Sequence, residues 1–402
     1  PTEPLLFGIM LIALFKLLHR NEIDKRIYRH PITIAIGCMM AWKLFTTITS
    51  TLPMVSLKNF IAQCWFVIPI YLLGTQLFIN TKNINRFLWL YCFSLLIVIG
   101  YTLTQHAAHG WTQDAAHWVM YPFYNDHTAY AAAIAMFIPP AIAITRMKET
   151  LPLEKIWSSF VTLALFVAIV LSYTRAAWIS LLIALVCSVV YFFKIKFWKV
   201  FLAGGALLSL FMAFQSDIVM KLEKNRQDSA TDINKHLQSI SNISTDASNL
   251  ERINRWHSAM RMWRIHPFLG WGPGTYQFHY APFQKSDEMT IISTNAGNRG
   301  NAHSEYIGPL AESGVLGMAT MIMLLVVTIY SATIVYSRTP EGKIKGYILG
   351  ILLGLITYFV HGTLNNFLDT DKLAVPFWAF LAMLVSLDVY HSRPAAIKKQ
   401  PA

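Results

Sequence analysis

Residues 156–193 read IWSSFVTLALFVAIVLSYTRAAWISLLIALVCSVVYFF, and Arg175 is the only charged side chain among them. The apolar runs on either side of it, near 156–173 and 176–193, are each long enough to cross a hydrocarbon core about 30 Å thick as a helix. Further runs lie near 4–18, 32–50, 60–80, 87–105, 129–146, 199–216, 306–336, 346–363 and 373–390. Inside lipid every backbone polar group needs a partner within reach, and a helix supplies one from its own segment. The sequence therefore predicts an all-α, polytopic transmembrane helical bundle with eleven spans. The run at 306–336 is longer than one crossing requires, which places its start in the interface or the bundle core.

Composition supports this class. The chain of 402 residues is 55% hydrophobic and only 13% charged, with a mean hydropathy of +0.44; soluble domains carry roughly 25% charged residues. The net charge of +12 does not indicate a nucleic-acid partner, because most lysines and arginines sit in short loops between spans. Those loops also set orientation, since cytoplasmic loops collect Lys and Arg. Loops 19–31, 81–86, 146–155, 194–199, 338–345 and 393–399 hold eighteen such residues, against Lys58, Arg175 and Lys372 in the short loops of the other side. The first set is read as cytoplasmic, so 106–128 and 217–305 face outward. The first residue then lies outside and the last inside, which implies one more span upstream and twelve in all. Three regions follow: N-terminal transmembrane helices over 1–216, a large external loop domain over 217–305, and C-terminal transmembrane helices with a short tail over 306–402. Cys38, Cys64, Cys92 and Cys187 all lie in apolar runs without pairing or metal-ligand spacing, and read as small buried hydrophobes.

The long external segment holds the densest set of reactive side chains. Residues 221–249 are polar and read as a solvated helix or loop. Arg252, Arg255, Arg261 and Arg264 follow, with Trp256 and Trp263 between them. This stretch reads as an amphipathic helix in the membrane interface, ended by His266-Pro267. The turn Gly270-Trp271-Gly272-Pro273-Gly274 comes next, then a polar segment, 283–300, that reads as a lid. Asn301-Ala302-His303-Ser304-Glu305-Tyr306 leads into the following span.

Several of these side chains suit chemistry on an anionic, lipid-linked substrate. Arg175 is a cation close to the hydrocarbon on the side that normally avoids cations, where a charge is costly unless it is used. Arginine holds a diphosphate through a planar fork that never loses its charge. His303 has an ordinary pKa near neutrality and can take a proton from a sugar hydroxyl as a general base. His127, in Tyr124-Asn125-Asp126-His127, is a second candidate, while His106, His109 and His117 read as surface residues. Glu305 and Glu312 lie on one helical face. Glu312, two turns into a span, needs a partner or a cavity, and either holds an arginine or orients a substrate hydroxyl. No metal-ligand cluster and no nucleotide fingerprint is present, so a metal-independent reaction without cofactor is expected.

The pattern resembles the O-antigen ligase and polymerase family of bacterial membrane glycosyltransferases. The resemblance rests on Ser172-Tyr173-Thr174-Arg175-Ala176-Ala177-Trp178, on Arg252 and Trp256 followed by His266-Pro267-Phe268-Leu269-Gly270-Trp271-Gly272, and on Asn301 to Tyr306 with Glu312-Ser313-Gly314-Val315-Leu316-Gly317. Tyr124 to His127 and Ser56-Leu57-Lys58 add weaker matches. It implies a fold like the lipid-carrier-dependent glycosyltransferases, in the inner membrane with the active site facing the periplasm. It further implies transfer of a glycan from undecaprenyl diphosphate to a hydroxyl of lipid A–core. His303 would activate that hydroxyl, and Arg175 and Arg252 would hold the diphosphate. Arg255, Arg261, Arg264, His127, Glu305, Tyr306 and Glu312 are the expected substrate-binding residues. Direct displacement would invert the anomeric centre. A polysaccharide polymerase and a protein O-oligosaccharyltransferase share this architecture, and a transporter of the lipid-linked glycan is the non-enzymatic alternative. The single dominant external loop favours a ligase. The absence of an internal repeat, with polar residues gathered on one outer side, favours an enzyme over a transporter.

Overall fold

A computed structural model describes residues 2–20, 23–195, 247–290, 293 and 300–392. Among these the chain is helical and has no strand. In chain order the helices are α1 (Thr2–Arg20), α2 (Lys25–Tyr28), α3 (Pro31–Ile48), α4 (Pro53–Leu77), α5 (Thr81–Ala108), α6 (Gln113–Ala116), α7 (His127–Arg146), α8 (Pro152–Leu171), α9 (Arg175–Phe192), α10 (Ala247–Ile265), α11 (Tyr276–His279), α12 (Ile307–Arg338), α13 (Lys343–His361) and α14 (Asp371–His391). Among the described residues nine are long and apolar enough to cross a membrane: α3, α4, α5, α7, α8, α9, α12, α13 and α14. The expected first span is a helix whose apolar part, Pro4–Phe15, is shorter than a crossing. The expected span at 199–216, the polar stretch at 221–246, residues 291, 292 and 294–299 of the lid, and the basic tail lie outside the described residues.

The largest boundary difference falls on the third span. Hydropathy starts the third run near residue 60, whereas α4 begins at Pro53. The reason is that its polar first turns face inward: Ser56 hydrogen-bonds Ser50 at 2.7 Å, and Asn59 lines an internal chamber. A π-helical turn, Val67–Leu72, interrupts the same helix.

The helices α7, α13 and α14 form the centre and are mostly buried in protein, whereas α3, α5, α8 and α9 present broad apolar faces outward. Without a hydrophobic drive between helices in lipid, close approach of small residues holds a bundle together. The run Ala131 to Ala135 is buried on α7. Gly354 of α13 lets the two backbones meet, because a Cβ there would lie 2.5 Å from the Met136 carbonyl oxygen. Of the cysteines only Cys92 is buried in protein; Cys38 is exposed on its helix, so the expectation that all four are buried is corrected.

The two ends of the bundle differ in chemistry. At one end His30 and Arg338 both meet Asp388. At the other, the 267–280 segment docks on α12, which is broken at Gly314 (φ 71°, ψ −170°). The break leaves the Ala311 and Glu312 carbonyls free to accept Trp271 N–H at 3.1 Å and Gly272 N–H at 2.7 Å, and Val315 N–H donates to Pro267 at 2.9 Å. The long final-third run thus starts inside the bundle, as its length suggested. A Cβ at Gly314 would lie 2.0 Å from the Phe268 carbonyl oxygen, in a left-handed conformation that side chains disfavour. Gly314→Ala is therefore expected to cost at least about 2 kcal/mol and to lower the melting temperature of the detergent-purified protein. Gly100→Ala, where a Cβ meets nothing within 4 Å, should not lower the melting temperature.

Candidate functional site

The site is assembled from the ends of four spans and one face of α10. The turn 172–174 closes with Tyr173 left-handed (φ 51°) and with Ser172 Oγ donating to the Ile169 carbonyl at 2.7 Å. Thr174 Oγ1 donates to the His127 carbonyl at 3.3 Å. This ties Arg175, the first residue of α9, to the start of α7. Asp126 caps α7 by accepting Thr128 N–H at 2.7 Å and Ala129 N–H at 2.8 Å. The rings of His127 and His117 stand 4.4 Å apart. The charges of Asp126, Arg252 and Arg175 all act on His127.

Helix α10 delivers the arginines, though not in the expected way. Its buried face carries Glu251, Asn254, Arg255, Ser258, Ala259 and Met262, so an arginine and other polar groups sit on its inward side. These polar residues are inside because they find partners there. Arg255 is 5% exposed and donates through Nε to Glu251 at 2.7 Å. Its guanidinium lies 4.6 Å over the Tyr280 ring, and Tyr276 donates to the Arg255 carbonyl at 2.8 Å. Against the desolvation of burial, hydrogen bonds from Ser293 and Arg255 hold the Glu251 carboxyl below its ordinary range. A small core of Ala259, Met262, Tyr276, Tyr280, Ala302 and Ala311 packs this segment onto α12.

His303 sits where these parts converge. Its backbone is left-handed (φ 48°), an uncommon state for a non-glycine residue that recurs at functional positions. Its N–H donates to Asn301 Oδ1 at 3.0 Å, and Arg255 Nη1 reaches the Asn301 carbonyl at 3.4 Å. Burial, reinforced by the positive charges of Arg252 and Arg255, lowers the His303 pKa to about 4. The imidazole is therefore neutral at physiological pH and available as a proton acceptor.

The other expected ligands have varied surroundings. Arg261 is engaged by Glu288 at 2.5 Å and by the Phe283 carbonyl at 2.6 Å, and Arg264 is exposed. Glu312 accepts Gly274 N–H at 2.9 Å and Tyr276 N–H at 3.1 Å, so it caps the loop. Glu305 accepts from Tyr358 Oη at 2.6 Å, Phe367 N–H at 2.8 Å and Leu368 N–H at 3.0 Å. Burial raises its pKa to about 7. Tyr306 donates to the Phe359 carbonyl at 2.9 Å. His106, expected at the surface, is 1% exposed, with Nε2 2.8 Å from the Thr112 carbonyl oxygen.

Three site residues escaped the sequence reading. His361 ends α13, is 1% exposed and lies within electrostatic range of Arg252, Asp126 and His127. A histidine closing an apolar run just before Gly362 was the available signal. The charge of Asp126 acts on both His303 and His127. Lys43, deep in α3, hydrogen-bonds Gln63. Among the described residues no group of three His, Cys, Asp or Glu side chains is arranged to hold a metal ion.

Fold and site together define a multi-pass membrane protein with a histidine–arginine centre at one end of its spans. Residues 160–322 match the family model described as O-antigen ligase. That stretch of the chain is similar to the family, whose members are membrane glycosyltransferase-like enzymes. The matched stretch contains Arg175, Arg252 and His303, stops short of His361, and begins after Lys43 and His127. The family points to ligase- or polymerase-type function, with lipid-linked glycan and lipid A–core as general partner classes. No curated protein matches the chain.

The bonds of Glu305 generate a stability expectation. Glu305→Ala leaves the Leu368 N–H and the Tyr358 hydroxyl without their acceptor, while Phe367 N–H keeps only Tyr358 Oη at 3.3 Å, and should cost about 3 kcal/mol. Glu305→Gln keeps an acceptor oxygen and should cost less than half of that. Equal melting temperatures for both variants and wild type would remove the structural role.

Proposed function

We propose that this protein transfers a glycan from undecaprenyl diphosphate to a sugar hydroxyl of lipid A–core on the periplasmic side of the inner membrane. The observation that carries the reading is a neutral, desolvated His303 held beside Arg252 and Arg255. In the reaction His303 takes the proton of the acceptor hydroxyl as its oxygen attacks the anomeric carbon. The bond from that carbon to the diphosphate oxygen breaks, and the electron pair leaves with the diphosphate. Arg175 and Arg252 offset the charge that grows on the leaving group. Fixed cations of this kind cost no reorganisation during the step, so no general acid is required. Attack from the face opposite the diphosphate inverts the centre. The chemistry needs no metal ion. A polymerase would run the same steps with a second lipid-linked glycan as acceptor.

Donor binding also tunes the base. The arginine charges add to burial in lowering His303, and a diphosphate against those arginines cancels part of that effect. His303 becomes more basic when the donor is seated.

The test is transfer by purified protein from lipid-diphosphate-linked glycan to lipid A–core, with lipid-linked glycan as the competing acceptor. His303→Ala should abolish product. Arg175→Ala and Arg252→Ala should each lower kcat about 10²–10³-fold while the protein still purifies as a monodisperse species. Near wild-type turnover in both arginine variants sinks the clamp. EDTA should have no effect, and loss of activity restored by a divalent ion overturns the metal-free step.

The pH profile gives a second check. His303 must be unprotonated, so kcat/KM should stay level from pH 8 down to about pH 5 and fall as the free-enzyme value of about 4 is approached. The acid limb of kcat should lie at higher pH. A kcat/KM inflection at the ordinary histidine value of 6.5 contradicts the neutral-base assignment.

A further inference from the structure

A chamber of about 410 Å³ lies between α3, α4 and the first half of α12, bordered by the 273–277, 300–305 and 366–369 segments. It shares Asn301, Ser304 and Glu305 with the His303 segment, but His303 itself is not in its wall. Its size falls within the usual range of about 300–1,000 Å³ for small-molecule sites.

The lining identifies the chemistry of an occupant. One cation, Lys43, faces three carboxyl groups, Glu305, Glu312 and Asp369. Lys43 already binds Gln63. Such a balance disfavours a phosphate, which separates this chamber from the arginine centre. The remaining polar wall is rich in carboxamides, among them Asn59, Gln63 and Asn366. A carboxamide offers both donors and an acceptor, as does each hydroxyl of a sugar. The Asn366 Oδ1 atom is buried without a hydrogen-bond partner, whereas buried acceptors are normally satisfied. Glu312 and Glu305 are occupied by backbone N–H groups and Lys43 by Gln63, which leaves Asp369, Asn366 and Asn59 to meet a ligand. Trp42, fixed by its Nε1 donating to the Ser313 carbonyl at 2.8 Å, and Phe66 supply the apolar wall that suits the C–H face of a ring.

We infer that this chamber holds one uncharged sugar ring next to the His303 loop, an inference that rests on the glycosyl-transfer reading. Two sources share this chemistry: the accepting saccharide and the glycan carried by the lipid.

The experiment measures binding separately from turnover. Saturation-transfer NMR is recorded on the full chain in detergent, as wild type and as His303→Ala. One probe is the oligosaccharide freed from lipid A–core by mild acid; the other is the glycan freed likewise from its lipid diphosphate. Both proteins should bind one probe, and Asn366→Ala with Asp369→Asn should weaken it about tenfold or more. The matching KM should rise with it: the acceptor KM if the core saccharide binds, the donor KM if the carried glycan does. Asn59→Ala, a change in a different helix, should act in the same direction if the paired variant does not fold. Wild-type affinity and unchanged KM values in folded variants overturn the chamber while leaving His303-dependent transfer intact. Saccharide binding lost in the variants, in a protein that shows no His303-dependent transfer, retains the chamber and removes the transfer reading instead.

Discussion

The site depends on a helix that opens. At Gly314 the first turns of α12 part from the rest, and the carbonyls of Ala311 and Glu312 turn outward to receive the Trp271 and Gly272 N–H groups. Backbone donors and acceptors in a low-dielectric setting must be paired, so the loop is held by an obligation of the helix itself. The Glu312 carboxylate completes the joint by accepting the next two free N–H groups, those of Gly274 and Tyr276. Through that joint α10 is fixed against the bundle, and its arginines reach a histidine that lies far from them in sequence.

Charge is distributed so that each group has one task. Glu251 holds Arg255, Glu288 holds Arg261, and Glu305 fastens the α13–α14 connection. With carboxylates committed to these bonds, His303 feels the net positive field of Arg252 and Arg255. Burial and that field act in the same direction. The imidazole is held neutral, and the place beside it favours an anion.

The spans were legible because hydropathy averages over about 20 residues, and so were Arg175 and His303, which interrupt or border those runs. The same averaging hid what mattered inside them. Lys43 and Asn59 lie within or at the edge of apolar helices, where their polarity is diluted by neighbours and their direction is unknown. His361 was missed for the same reason. Helix α10 reads as amphipathic in sequence because arginines ordinarily seek water or headgroups; Arg255 instead finds Glu251 and Tyr280 inside the protein. A sequence reports that a residue is charged, but not that its partner lies on the same helix and faces inward. Glu305 and Tyr306 illustrate the converse: adjacent to the catalytic candidate, they bond to α13 and to the loop that follows it.

The π turn at Val67–Leu72 sets the phase of α4. It places one extra residue in the helical path, so the segments before and after it are rotated by about 100° relative to an uninterrupted α-helix. Before the turn, Asn59 and Gln63 look into the chamber; after it, Gly74 packs against Ala382 of α14. One helix thereby satisfies two neighbours that regular winding could not serve together. A relative that lost a single residue here would keep a span of nearly the same length and hydropathy, yet its first half would present a different face, and the chamber wall would change without any substitution in it.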